Sequence, residues 1–471
     1  MGIARREGLI HRRAWSRIGA VKDSGFSHGW AQMLGHLDRQ VSSGLLSPDT
    51  VALPDLMSSY QVPGVSIAVG HLDGQVWAAG YGVTGGTTST PVTAGTAFAA
   101  CSISKHVAAF GTLRLVQDGV LALDTDIREY LTSWHLLDRE GRQPAVTVRQ
   151  LLAHTAGLSD TWYRGYPADR APSLLQVLDG SGPTTTAPVR STLLPGSRFR
   201  YSGSHYCVLQ QLLVDATGVP FEDLMRTLVL DPVAMADSSF DQRFPHQRPH
   251  RVARGHHGGG TALPGGWRTQ PELAAAGLWS TPTDLLRLDL EIARAVSGDS
   301  RLLDRDLATD MWTPQIPGGA YGLGTEVEDR AGRRRFGHTG LNVGYTCFSY
   351  VWPDSGIAVA AMTNSEDGWE TLVSIRAAVD RRYATAVTTA PPGDVSGRYV
   401  LRDDYPIDIA VTDGQVTFSA AGQQPVVLRA EPDGRHLHPG LDLEIRFLPA
   451  NGQPDALELR QEGVTQTAKR S

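Results

Sequence analysis

Residues 101–119 read CSISKHVAAFGTLRLVQDG, and their first five, Cys101-Ser102-Ile103-Ser104-Lys105, set a serine and a lysine three positions apart. The pattern predicts a helix over 102–119, with Val107, Leu113 and Leu115 on its apolar side. Residues i and i+3 share one helix face, their Cβ atoms about 5–6 Å apart. A hydroxyl at a helix N-terminus meets free backbone N–H groups and the positive end of the dipole. A lysine buried beside it has its pKa lowered and can accept the serine proton. Ser102 is therefore the candidate nucleophile and Lys105 its candidate base. The same residues also fit a helix cap followed by a solvated lysine, so the reading needs support from elsewhere in the chain.

Lysine usage is the first support. Lys22, Lys105 and Lys469 are the only lysines among 43 basic residues, and the first and last fall in expected tails. Arginine cannot lose its proton near neutral pH, whereas a buried lysine can. The second support is Arg335-Phe336-Gly337-His338-Thr339-Gly340, ahead of two apparent strands at 345–351 and 357–363. A polar residue, a small hydroxyl and a glycine on an edge strand allow close approach of a substrate backbone. His338, Thr339 and Gly340 are thus candidate site residues, and the amides of Leu341 and Ser102 form the expected oxyanion hole. The third is Phe199-Arg200-Tyr201-Ser202-Gly203, before an apolar helix expected at 206–216. A phenol held near a lysine relays a proton to a leaving group, which is the role expected of Tyr201.

The order S-x-x-K, tyrosine, H-x-G resembles the serine beta-lactamase and penicillin-binding protein superfamily. Val62-Pro63-Gly64-Val65-Ser66-Ile67-Ala68-Val69 resembles its first strand, and Leu151-Leu152-Ala153-His154-Thr155-Ala156-Gly157-Leu158 an L-L-x-H-T-S-G-L segment. Ala276-Gly277-Leu278-Trp279-Ser280-Thr281-Pro282-Thr283-Asp284-Leu285 and Tyr321-Gly322-Leu323-Gly324 fit further segments, in the right order. Within the superfamily the chain looks most similar to D-stereospecific aminopeptidases and class C-like esterases. The resemblance implies an α+β fold, a helical subdomain against a mainly antiparallel sheet. It implies Ser102 as acylated nucleophile, Lys105 and Tyr201 as base and relay, and His338 and Gly340 on the strand bordering the site.

Two residues depart from the family pattern. Gly203 stands where the family usually has asparagine, so a side-chain hydrogen bond to substrate and lysine is missing. Ser202, Ser204 and His205 are the neighbours that would replace it. His338 stands where beta-lactamases commonly have lysine. Histidine is mostly neutral near pH 7, so beta-lactams and free C-terminal carboxylates are expected to be poor substrates.

The remaining sequence bounds the setting. A chain of 471 residues suggests two or three domains. We expect an N-terminal extension over 1–48, helical or poorly ordered, a catalytic domain over 49–385, a linker over 386–394, and an all-β barrel, lipocalin-like, over 395–471. In the last segment Ile407, Ile409 and Val411 alternate with polar residues, and Asp413-Gly414, Asp433-Gly434 and Asn451-Gly452 punctuate the runs. A net charge of −6 gives no general reason to bind nucleic acid or anionic membrane. No apolar run approaches the roughly 18 residues of a membrane span. The basic N-terminus lacks the apolar core of an export signal, so a cytoplasmic location is expected. Three scattered cysteines make neither a disulfide framework nor a zinc motif, and His256-His257 lacks a partner at ligand spacing. No metal or cofactor is expected, the partner is a small-molecule or peptide substrate, and the oligomeric state is open. The leading expectation is a hydrolase of amides or esters working through an acyl-Ser102 intermediate. The alternatives are an acyltransferase or peptide macrocyclase, similar to penicillin-binding-protein-type thioesterases, and a non-catalytic binding protein of the same fold.

Overall fold

A computed structural model describes residues 53–471 apart from 87–88, 331–332, 384–394 and short turns at 403–404, 413–414, 421–422, 424, 431–434, 439–442, 451–452 and 462–463. The expected N-terminal extension, the linker, and the three Asx-Gly turns of the C-terminal segment lie outside the described residues.

Two stretches of β-branched and small residues, β1 (Gly64–His71) and β2 (Val76–Gly82), form a hairpin. Its turn holds Gly74 at φ +94°, a left-handed conformation that glycine adopts freely. Four later strands, β3 (Glu326–Arg330), β4 (Arg333–Asn342), β5 (Tyr345–Trp352) and β6 (Ile357–Thr363), complete an antiparallel sheet in the order β2-β1-β6-β5-β4-β3. The N- and C-terminal parts of the catalytic region thus meet where β1 pairs with β6, Val65 opposite Thr363. β1, β5 and β6 are buried almost throughout, because helices cover both faces of the sheet.

The quoted serine–lysine stretch forms α1 (Ile103–Gln117), one residue inside the expected start. It has no apolar stripe facing a polar one. Residues 103–113 are all buried, polar Ser104, Lys105, His106 and Thr112 included. A helix sheltered on all sides shows no one-sided pattern, which is why Val107, Leu113 and Leu115 describe it incompletely. The other helices that matter to the site are α2 (Val148–Leu152), α3 (Gly203–Thr217), α4 (Leu273–Ala276), α5 (Pro282–Ser297) and α6 (Trp369–Tyr383). α1 packs against α4 and β4, α5 against β1, β5 and β6, and α6 against β5 and β6. α1 is tied to α5 by a buried pair, His106 Nε2 lying 3.2 Å from Asp289 Oδ1, and Ser349 of β5 donates to the same carboxylate.

The C-terminal segment forms a closed eight-stranded antiparallel barrel: β7 (Gly397–Arg402), β8 (Tyr405–Thr412), β9 (Gln415–Ala420), β10 (Val426–Ala430), β11 (Arg435–Leu437), β12 (Leu443–Ala450), β13 (Gln453–Gln461) and β14 (Val464–Arg470). β7 pairs with β14 to close it, Tyr399 opposite Arg470. In β8, Ile407 and Ile409 point inward while Asp408 and Ala410 are exposed, the alternation expected of a barrel wall. The barrel has its own core, in which Tyr399, Phe418, Ile445, Phe447 and Leu457 are buried. Among the described residues no helix is long and apolar enough to cross a membrane.

Candidate active site

Ser102 stands at the N-cap position of α1, its side chain making no capping hydrogen bond. Cys101 before it holds φ +52°, a left-handed conformation costly for a side chain with a Cβ. The strain is held by burial. The Cys101 side chain is fully enclosed, its thiol on the carbonyls of Ala99 (3.3 Å) and Tyr345 (3.7 Å). β4 crosses directly above. A Cβ at Gly340 would stand 2.5 Å from Cys347 Sγ and 2.8 Å from Cys101 Cβ, so glycine is needed for this approach.

Lys105 Nζ lies 2.8 Å from Ser102 Oγ and donates to the carbonyl of Ala275 in α4, also at 2.8 Å. Its side chain is 2% exposed. Burial brings its pKa down to about 7, against the opposing pull of the Cys207 and Cys101 thiols and the Glu326 carboxylate. Tyr201 places its ring 5.0 Å from Lys105 Nζ, and its hydroxyl is close enough to Ser102 to be influenced by it. Tyr201 is 38% exposed, and desolvation pushes the pKa of its hydroxyl well up. The structure therefore brings Ser102, Lys105 and Tyr201 to one point from two separate segments.

His154 supports Tyr201. Its buried ring lies 4.4 Å from the Tyr201 ring, and its Nδ1 accepts the amide of Ser202 at 3.3 Å. Burial holds this imidazole neutral, far below its usual pKa. The sequence marked the segment containing His154 but not the ring's function as a platform.

The strand residues behave differently. His338 is fully buried and engaged at both ring nitrogens. Nε2 meets Tyr321 Oη at 3.0 Å, and Nδ1 faces the carbonyl of Thr339 and, at 3.5 Å, Glu326 Oε1. Burial brings its pKa down to about 4, only partly offset by Glu326. Thr339 donates to Glu326 Oε1 at 2.6 Å. Neither His338 nor Thr339 lines the cleft beside Ser102. Leu341 does, half exposed, together with Asn342, whose amide donates to the carbonyl of Ala276 at 3.1 Å.

That cleft encloses about 440 Å³, open solvent included. Its floor is Ser102, Lys105 and Tyr201, and much of its wall comes from Asp160, Thr161, Trp162 and Tyr163. These four sit in a stretch without periodicity, legible beforehand only as an irregular loop. Gly203 also faces the cleft, with Tyr163 against it. Ser202 caps α3 and is committed: its hydroxyl donates to Ser159 O at 2.7 Å and accepts the amides of Thr161 and Ser204. Ser204 Oγ donates to Thr161 Oγ1, and His205 Nδ1 lies 3.2 Å from the carbonyl of Ser202. None of these three neighbours takes the place of the missing asparagine. His256 and His257 bond to Asn364 O and Glu366 Oε1 respectively, tying their loop to the segment before α6.

Comparison with known proteins agrees with this geometry. The beta-lactamase family model matches residues 52–395. Penicillin-binding protein 4 of Amycolatopsis lactamdurans is 28% identical over 329 residues, 66% of this chain and 82% of that protein. Esterase EstB of Burkholderia gladioli is 30% identical over 178 residues, 36% of this chain and 44% of that protein. A D-aminopeptidase of Brucella anthropi is 26% identical over 325 residues, 66% of this chain and 58% of that protein. The chain thus spans only about half the length of the last two. Among solved structures, SurE with D-Leu matches at TM-score 0.56 and 23% identity, covering 92% of this chain and all of that one. The D-amino acid amidase of Ochrobactrum anthropi SV3 in complex with L-phenylalanine amide matches at TM-score 0.57 and 21% identity, covering 70% of this chain and 97% of that one. With the family model spanning the sheet, α1 and the strand above it, the chain belongs to the beta-lactamase family.

Proposed function

We propose that this serine hydrolase of the beta-lactamase family cleaves an amide or ester through an acyl-Ser102 intermediate. The observation that carries the reading is Lys105 Nζ at 2.8 Å from Ser102 Oγ, with a pKa near 7. Neutral Lys105 takes the hydroxyl proton as Ser102 Oγ bonds to the carbonyl carbon. The amides of Ser102 and Leu341 receive the developing oxyanion. Tyr201 gives its proton to the departing amine or alcohol and is reprotonated from Lys105. Water then attacks the acyl-enzyme by the reverse route and releases the acid. Asp160 supports an acyl group bearing an ammonium, since its carboxylate is exposed on the cleft wall. The similarity to D-aminopeptidase and to EstB supports amides and esters as the two substrate classes to screen.

A second reading is favoured by the barrel that follows the catalytic domain, a layout that resembles peptide-cyclising thioesterases: the same acyl-enzyme passes its acyl group to an amine. A peptide thioester separates the two, free acid marking hydrolysis and a cyclic or aminolysed product marking transfer. The catalytic reading itself is tested with a fluorophosphonate probe. Wild type is expected to be labelled and Ser102→Ala not; an unlabelled wild type that turns over no ester or amide returns the chain to a binding role.

A further inference from the structure

The wall beside Gly203 is shaped by an aromatic ring. A Cβ at position 203 would stand 2.7 Å from Tyr163 Cε2 and 2.8 Å from Cδ2, so no side chain fits there while the ring stays in place. Tyr163 is 4% exposed yet lines the cleft, and its hydroxyl is turned away from it, 3.5 Å from Ser204 Oγ. Trp162 beside it is 55% exposed. The hydroxyl of Ser202 has its donor and both acceptor positions filled by Ser159, Thr161 and Ser204. What the cleft meets next to Gly203 is the Tyr163 ring, with no side-chain amide at that position to pair with a substrate amide.

We propose that Tyr163 and Gly203 together select the acyl group. The acyl donor lays a flat or branched apolar group against the Tyr163 ring, and chains carrying an acylamino substituent beside the scissile carbonyl are disfavoured. This rests on the acyl-Ser102 reading. An aromatic ring rewards contact with a flat apolar group. An acylamino group laid against this wall brings one N–H and one C=O for which Tyr163 and Gly203 offer no side-chain partner, a penalty of about tenfold or more in rate.

The test compares two uncharged esters, 4-nitrophenyl 3-phenylpropionate and the 4-nitrophenyl ester of N-acetylphenylalanine in both configurations. Neither acyl group is charged, so Asp160 does not bias the comparison. Wild type is expected to favour the phenylpropionate by about tenfold or more in kcat/KM. Tyr163→Phe keeps that ratio, Tyr163→Ala lowers it towards one, and Tyr163→Ala with Gly203→Asn moves it towards the acetylated ester. Where Tyr163→Ala does not fold, Tyr163→Leu reads the same ratio. The inference is overturned if wild type uses either acetylated ester as well as the phenylpropionate. A folded Tyr163→Ala with the wild-type ratio, or no use of either ester by an enzyme whose Ser102 is labelled, overturns it too. Loss of both labelling and turnover overturns the acyl-Ser102 reading instead, and this inference with it.

Discussion

Lys105 can act as a base only when neutral, and its folded pKa near 7 sets where that happens. Below that pH the ammonium dominates, so kcat/KM is expected to rise with pH through about 7 and then level. A profile flat from pH 5 to 9 removes Lys105 from the role. Lys105→Ala is expected to cost about 10²–10⁴ in acylation rate, the usual span for a positioned base. His338 leads to a second prediction. Neutral above about pH 4 and closed off by Tyr321 and Glu326, it offers no cation for a substrate carboxylate. Nitrocefin turnover should therefore be negligible beside that of a neutral ester; rapid turnover would contradict this placement. The nucleophile and its base were legible because two residues three positions apart on a helix make a contact that spacing alone encodes. The surroundings of His338 were not, because Tyr321 and Glu326 reach it only through the folding of β3 onto β4.

At the scale of elements, α4 is the instructive case. It spans four residues, too few for any periodicity, yet its Ala275 carbonyl anchors Lys105. Just before it stands Glu272, fully buried with neither carboxyl oxygen hydrogen-bonded. Burial raises its pKa from 4.5 to about 8. Between those values the unfolded chain has released a proton that the folded chain keeps, so stability falls as pH rises across that window. Glu272→Gln removes the titration. It is expected to stabilise the fold by on the order of 3 kcal/mol at neutral pH and above, and little near pH 4.5. Chemical denaturation at the two pH values measures the difference, and an equal effect at both refutes it. Strand β3 escaped sequence reading for a related reason: in Glu326-Val327-Glu328-Asp329-Arg330 only Val327 is apolar. Helix α3 began three residues earlier than its apolar pattern, because Ser202 supplies the cap.

For the whole molecule, the sheet and the barrel were both readable: runs of alternating or β-branched residues announced them alike. Strand order was not, since β1 pairs with β6 almost 300 residues later and no local pattern records such a partner. We expect residues 395–471, expressed alone, to fold as a unit with a cooperative melt and a β-type circular dichroism spectrum, because their core is their own. A non-cooperative melt would refute this. Closure of the barrel also has a bearing on crowded solutions. A sheet with an open edge strand can recruit a passing strand through its backbone, whereas the pairing of β7 with β14 leaves the barrel without a free edge strand among the described residues. Templated growth of β-structure is thereby left to the outer strands of the catalytic sheet, β2 and β3, which have a neighbour on one side only.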